Sequence, residues 1–197
     1  MRRLLLILAV ILVALLGLYV ATMPSKTSDS AKGDVGVLIG GDFSLVNHQG
    51  QPVRAADYQG KLLLIYFGFT YCPDVCPTEL QKISAVLDQL SDRQRAGIVP
   101  LFVTVDPERD TVEQMALYLS NFHPAIVGLT GSVAQVKEAA SMYKIYMQKV
   151  EDETSSASYT MDHSNLVYLM DGDNHYLKHF TGRATVTDML KAIKAAL

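Results

Sequence analysis

The chain reads as an α/β domain behind an apolar N-terminal segment, and three observations predict this. Two unbroken apolar runs, "KLLLIYFGF" at 61–69 and "IVPLFVTVD" at 98–106, have the length and composition of strands covered on both faces. Each leads into a stretch with helical spacing; after the first, Leu80, Ile83, Val86, Leu87 and Leu90 share one face. Near the end, "NLVYLMD" (165–171) and "HYLKHF" (175–180) flank the turn Gly172 to Asn174, a hairpin signature.

Taken in order, the elements begin with "LLLILAVILVALLGLYVA", Leu4 to Ala21, which carries no charge. That is close to the ~20 residues a helix needs to cross hydrocarbon. Arg2 and Arg3 precede it and no further cation comes before Lys26, so the rest of the chain is expected on the outer face. A cleaved signal peptide is the competing reading. Its apolar core runs to ~7–15 residues, and "LYVATMPS" is a poor cleavage site. The segment is therefore expected to be one transmembrane helix, with residues 1–23 as the anchor of a single-pass protein in a bacterial cytoplasmic membrane. No cysteine stands directly behind it to take a lipid. Residues 24–34, "PSKTSDSAKGD", are small and polar, as a tether is.

The globular domain is expected over 35–197. "DFSLVNHQGQPVRAADYQG" reads as an N-terminal β-hairpin turning at Asn-His-Gln-Gly. The strand at 61–69 and its helix follow, then the strand at 98–106. "TVEQMALYLSNF" is a helix with Thr111 as N-cap and Gln114 completing a capping box. "AIVGLTG" is a short strand, and Ser132 opens the helix "SVAQVKEAASMYK". "EDETSSASYTMD" (151–162) reads as an irregular, polar, exposed loop, and "TVTDMLKAIKAAL" closes the chain as an amphipathic helix. Hairpin, β-α-β-α-β-α, hairpin and helix is a thioredoxin-like order with a partly parallel sheet.

Beyond the first 23 residues lie all 20 acidic residues and all basic ones except Arg2 and Arg3, a net charge of −5. No basic run of five occurs, which argues against nucleic-acid binding. A mildly acidic surface would suit a partner with a basic face, but plain solubility is the favoured reading.

"GFTYCPDVCPTEL", 68–80, holds the chain's two cysteines, Cys72 and Cys76. A bridge closing so short a loop restrains the unfolded chain little, and a domain of this size needs no staple. The pair is more useful as chemistry. Cys72 follows the first buried strand and Cys76 falls in the first turn of the next helix. Helix-start N–H groups there favour thiolate over thiol. Pro77 suits an early helical position, and Asp74 can accept helix-start N–H bonds. Sulfurs about one turn apart can close a disulfide or chelate a soft ion.

A third donor stands in "YTMDHSNLVYLMD". His163 lies just ahead of a strand that, in such a sheet, neighbours the one preceding the cysteines. Thiolates with one imidazole favour copper, with zinc as chemical competitor; structural zinc usually takes four protein ligands. Met161 is a candidate soft auxiliary ligand, although a packing role suits it better. His48, His123, His175 and His179 read as surface residues.

Together "GFTYCPDVCPTEL", "VTVDPERDT" (103–111) and "YTMDHSNLVYLMD" resemble the Sco/SenC copper-binding proteins, over the domain from about Val35 to the end. Those proteins are membrane-anchored, thioredoxin-like and needed to assemble the copper centre of cytochrome c oxidase. The resemblance implies one copper ion, Cu(I) or Cu(II), held by Cys72, Cys76 and His163. It also implies a cysteine pair that interconverts between dithiol and disulfide, and places Asp106 near the site. The loop before His163 would be mobile and bring the histidine in. The implied partner is the copper-bearing oxidase subunit, with other copper carriers or thiol reductants as further candidates.

Three rivals stand beside this. A thioredoxin-type oxidoreductase uses C-x-x-C and a cis-proline, but here the last proline is Pro124. A narrower role, reducing the cysteines of one client so that they accept copper, stays open. A peroxidase places Thr or Ser three residues before its reactive cysteine; Phe69 and Pro73 stand there. A structural disulfide leaves His163 and "DPERDT" without a task.

Overall fold

A computed structural model describes residues 38–151 and 158–197. The expected anchor (1–23), the tether (24–34) and residues 152–157 lie outside the described residues. Among the described residues no helix is long and apolar enough to cross a membrane.

The expected strands form one seven-stranded sheet, in spatial order β2 (Pro52–Arg54), β1 (Ser44–Asn47), β5 (Val127–Thr130), β4 (Ile98–Thr104), β3 (Leu62–Gly68), β8 (Leu166–Met170) and β9 (Tyr176–Thr181). Strand β3 (Leu62–Gly68) is buried at every position, so both faces of the sheet are covered there. It runs parallel to β4 (Ile98–Thr104), with Gly68 opposite Thr104. Next to β4, β5 (Val127–Thr130) is also parallel. On the other side β8 (Leu166–Met170) pairs antiparallel with β3, as the sequence order required. Strand β9 (Tyr176–Thr181) then forms the terminal hairpin.

The N-terminal hairpin is β1 (Ser44–Asn47) with β2 (Pro52–Arg54). Its turn is closed by Asn47, whose Oδ1 accepts from the N–H of Gln49 at 3.0 Å and of Gln51 at 2.9 Å. Gly50, at φ +81°, takes the left-handed position. A 3-10 turn at Ala55–Tyr58 follows.

Helix α1 (Val75–Asp88) buries Leu80, Ile83, Val86 and Leu87, the stripe that the spacing predicts. A short helix α2 (Asp92–Arg95) was not marked by periodicity and is capped by Ser91. Helix α3 (Val112–Leu119) starts at Thr111, whose hydroxyl accepts from Gln114 N at 3.3 Å. The expected capping box is incomplete, because the Gln114 side chain donates instead to Thr70 Oγ1 at 3.1 Å. Helix α4 (Val133–Met142) has a complete box at Ser132 and Gln135. Helix α5 (Val186–Ala196) packs beside α1.

One expectation fails. The stretch 151–162 is not wholly irregular: β6 (Met147–Glu151) and β7 (Tyr159–His163) pair antiparallel as a separate two-stranded sheet. His163 is the last residue of β7 rather than part of a loop. The strands escape notice because β6 is exposed at four of its five positions, which removes the apolar alternation that marks a strand.

Candidate metal centre

The parallel strands β3 and β4 deliver their carboxyl ends to one edge of the sheet, where loops can assemble a site. After β3, Phe69 and Thr70 are buried and the chain turns, with Cys72 N donating to Phe69 O at 3.3 Å. This turn is fastened by Asp110, which is wholly buried. Its carboxylate accepts from Thr70 N at 3.1 Å, Thr70 Oγ1 at 2.7 Å and Thr104 Oγ1 at 2.6 Å. Burial raises the pKa of Asp110, while those donors oppose the rise.

Cys76 is the second residue of α1 and has no exposed surface. Its N–H donates to Cys72 Sγ at 3.4 Å. Asp74 is the N-cap by position, but its side chain makes no cap bond; the Cys72 sulfur takes that helix-start N–H instead. The two cysteines are not bridged to each other. A hydrogen bond from the Cys76 thiol, helped by N–H groups of residues 74–76, brings the Cys72 pKa down to about 5 against the effect of burial. The same hydrogen bond and burial push the Cys76 thiol well up. Tyr66, kept protonated by burial, donates its O–H to Cys76 Sγ at 3.5 Å. At neutral pH the pair is therefore one thiolate, half-exposed, and one buried thiol.

His163 reaches this pair. Its Nε2 lies 3.8 Å from Cys76 Sγ, and its Nδ1 lies 3.1 Å from the Ser164 carbonyl oxygen. The ring stands edge-on to Phe69, 5.8 Å between centroids at 86°. Burial lowers the histidine pKa, so the ring is neutral at pH 7. A neutral ring donating from Nδ1 to a carbonyl presents a lone pair at Nε2, toward the sulfur.

Two sulfurs and one imidazole nitrogen are soft and borderline donors and suit a thiophilic ion. Among the described residues, no three His, Cys, Asp or Glu side chains are already gathered as a metal cage. Seating one ion on all three residues thus takes side-chain movement.

Asp106 is nearly fully buried. It binds Arg109 Nε at 2.5 Å and accepts the Tyr159 O–H at 2.9 Å, so it reaches the histidine hairpin and not the sulfurs directly. Met161 lies two residues before His163 on β7, packed against the core, and with Met147 lines a cavity of about 390 Å³. Larger clefts of about 510 and 620 Å³ flank Gly172 and contain no cysteine.

The remaining histidines serve elsewhere. His48 Nδ1 accepts from Gly128 N at 3.0 Å, and His123 Nδ1 from Ala125 N at 3.1 Å, so these two are half-buried turn residues rather than plain surface ones. His175 and His179 are exposed. The sequence assigns Tyr66, Phe69, Asp110, Arg109 and Tyr159 no individual role; the signal for all but Tyr66 is their place inside the motifs "GFTYCPDVCPTEL", "DPERDT" and "YTMDHSNLVYLMD".

The SCO1/SenC family model matches residues 32–197. The mitochondrial SCO1 homolog 1 of Arabidopsis thaliana is 44% identical over 142 residues, 72% of this chain but only 42% of that protein's length. An SCO2-like protein of Rickettsia conorii is 39% identical over 158 residues, 80% of this chain and 77% of its own. Among solved structures, Arabidopsis thaliana ScoI with copper bound superposes with a TM-score of 0.74 at 41% identity, covering 79% of this chain and 96% of that one. Bradyrhizobium japonicum ScoI with copper bound gives 0.74 at 40% identity, covering 81% and 99%. The fold is accordingly the Sco-type thioredoxin-like one, and the chain belongs to the SCO1/SenC family.

Proposed function

We propose that this chain carries one copper ion on Cys72, Cys76 and His163 and passes it to the copper-bearing subunit of cytochrome c oxidase. It does so from the outer face of a bacterial cytoplasmic membrane. Residues 1–23 anchor it, 24–34 act as tether, and 35–197 handle the metal. The observation that carries the reading is the approach of His163 Nε2 to Cys76 Sγ at 3.8 Å, from a strand 87 residues away. Relatives about 40% identical hold copper on the same fold. A half-exposed Cys72 beside a buried Cys76 gives the ion a way in and out on one side. Loading displaces the Cys76 proton, since a metal takes the thiolate.

A second reading has its own support: one thiolate next to one protonated thiol is also the working state of a dithiol reductant. The Cys72 thiolate would attack a client disulfide, forming a mixed disulfide and releasing one client thiolate. The Cys76 sulfur would then displace the second client sulfur, its proton going to that leaving thiolate. The client ends reduced by two electrons and Cys72 and Cys76 end bridged.

Anaerobic titration of the reduced chain with Cu(I) and then Cu(II), with thiol counting, separates the two. One ion per chain is expected, lost in Cys72→Ala and in Cys76→Ala. His163→Ala weakens binding and alters the Cu(II) spectrum. Unchanged stoichiometry in all three variants refutes the copper reading and leaves the reductant.

A further inference from the structure

Three segments far apart in sequence meet at one guanidinium. Arg109, with its side chain 14% exposed, lies in the loop after β4. Its guanidinium carbon is 3.7 Å from the centroid of the Tyr159 ring on β7 and 4.7 Å from that of Tyr71, the residue before Cys72. Phe69, whose edge contact orients His163, is 5.9 Å from the same carbon. All three lie within the ~6 Å over which a cation and an aromatic face attract.

Hydrogen bonds close the arrangement. Arg109 Nε donates to Asp106 Oδ2 at 2.5 Å, and Nη1 donates to the Tyr159 carbonyl at 3.0 Å. The Tyr159 hydroxyl donates to Asp106 Oδ1 at 2.9 Å. A planar guanidinium does this where an ammonium does not, because it stacks and donates in fixed directions together.

The hairpin needs such a hold. Two strands alone are marginal in water, and among the described residues β6 and β7 pair only with each other. Tyr159 and His163 are four residues apart on one strand, so they share a face, roughly 13 Å apart at ~3.3 Å per residue. Fixing the tyrosine fixes the line on which the imidazole stands. Bonds from Ser164 N to Tyr146 O at 3.0 Å and from Tyr146 N to Ser164 Oγ at 3.1 Å hold the near end.

We propose that Arg109 is a positioning residue of the metal centre. It clasps the turn that presents Cys72 to the strand that presents His163, and so sets the imidazole against the sulfurs. Its bearing on copper rests on the ligand set proposed above; the clasp itself does not.

The test uses the full-length chain with Arg109→Ala, Tyr159→Leu and Tyr159→Phe. The metal-free readout is the nuclear Overhauser contact between the rings of Phe69 and His163. The loaded readouts are Cu(I) stoichiometry and Cu(II) affinity and spectrum. Arg109→Ala and Tyr159→Leu are expected to lose the ring–ring contact and to weaken Cu(II) about tenfold, the low end for groups that orient a metal ligand. Cu(I) stoichiometry stays at one, since both sulfurs remain. Tyr159→Phe keeps the ring and the carbonyl acceptor and loses only the hydroxyl bond to Asp106, so it is expected to keep the ring–ring contact and to weaken Cu(II) binding less than Tyr159→Leu does. Should Arg109→Ala not fold, Tyr159→Leu on the partly exposed strand decides alone. A folded Arg109→Ala or Tyr159→Leu with ring contact and Cu(II) spectrum intact overturns the proposal, as does Tyr159→Phe behaving like Tyr159→Leu. If the parent chain binds no copper, the ligand assignment fails, while the ring contact still decides the clasp.

Discussion

Cys76 and His163 approach within 3.8 Å, yet the regions that hold them are built on different terms. The sulfurs sit on a turn between a strand buried at every position and a helix with a continuous buried stripe. A buried carboxylate fastens that turn through three donors. The imidazole sits at the end of a two-stranded sheet with one strand almost wholly exposed. One half of the centre inherits the rigidity of the core, and the other is held by local contacts. On the proposed function that asymmetry has a use: the two sulfurs would keep their place while the histidine strand, held only by local contacts, adjusts as the ion loads or leaves.

The largest expected effect is chemical and concerns the fixed half. With its pKa near 5, Cys72 is thiolate across the physiological range. Cys76, buried and held as the thiol, is not. Iodoacetamide should therefore modify Cys72 much faster than Cys76 at pH 7, because the thiolate is the nucleophile and Cys76 is buried as well. The Cys72 rate should be flat from pH 8 to 6.5 and fall to half near pH 5. The sign follows from the lowered pKa, since protons compete only below it. Peptide mapping after timed alkylation measures both rates. Equal rates, or a midpoint near that of a free thiol, would show that α1 does not hold the sulfurs apart in character.

Next comes the anchor of the turn. Asp110→Ala strands Thr70 N, Thr70 Oγ1 and Thr104 Oγ1 in the interior. At ~1–3 kcal/mol for each buried group left unpaired, partly relieved by water, a loss of about 3 kcal/mol is expected in urea unfolding. A loss below ~1 kcal/mol would mean that the turn is held by something else.

Gly68 gives a somewhat smaller effect and reads the same region from the core side. A Cβ there would lie 2.8 Å from Phe102 Cε2 and 2.9 Å from Cys76 Sγ. Gly68→Ala is therefore expected to cost about 2 kcal/mol, as overpacking typically does, and to move the Cys76 sulfur. Denaturant unfolding and the Cu(II) spectrum should change together. A spectrum unchanged in a destabilised variant would separate the sulfur from the core beneath it.

The same division decides what could be read from the chain itself. Strands β3 and β4 announce themselves because burial on both faces demands continuous apolar runs, and α1 because its stripe is complete. The place of β8 beside β3 followed from element order. The cysteine turn and His163 were legible as chemistry, since few tasks call for sulfurs and an imidazole around one sheet edge. What stayed hidden was held by interactions without periodicity. Tyr159 and Met161 alternate with Thr160 and Asp162 on β7, but its partner β6 is exposed at four of five positions and shows no matching alternation, so the pair does not stand out. Asp110 looks like any loop carboxylate until three donors converge on it. Arg109 matters through planar stacking on rings from two other segments, which composition does not encode.

The smallest expected effect falls on the hairpin and tells a local hold from a global one. Lys149 pairs with Glu108 at 3.0 Å and places its ammonium 3.8 Å from the Tyr159 ring centroid. Both members of that pair are at least half exposed, so the ion pair itself is worth little. Lys149→Ala should leave the urea midpoint of the whole domain within about 0.5 kcal/mol of the parent, the usual bound for exposed positions. The change should appear instead in amide hydrogen exchange. Protection at Gln148, Val150 and Asp162, whose N–H groups face the partner strand in this register, should fall by a few-fold while that of Leu64, Ile65 and Phe102 stays at the global limit, because the two sheets open as separate units. If the central strands lost protection in step with the hairpin, β6 and β7 would belong to the same cooperative unit as the core. The imidazole would then be as rigidly placed as the sulfurs.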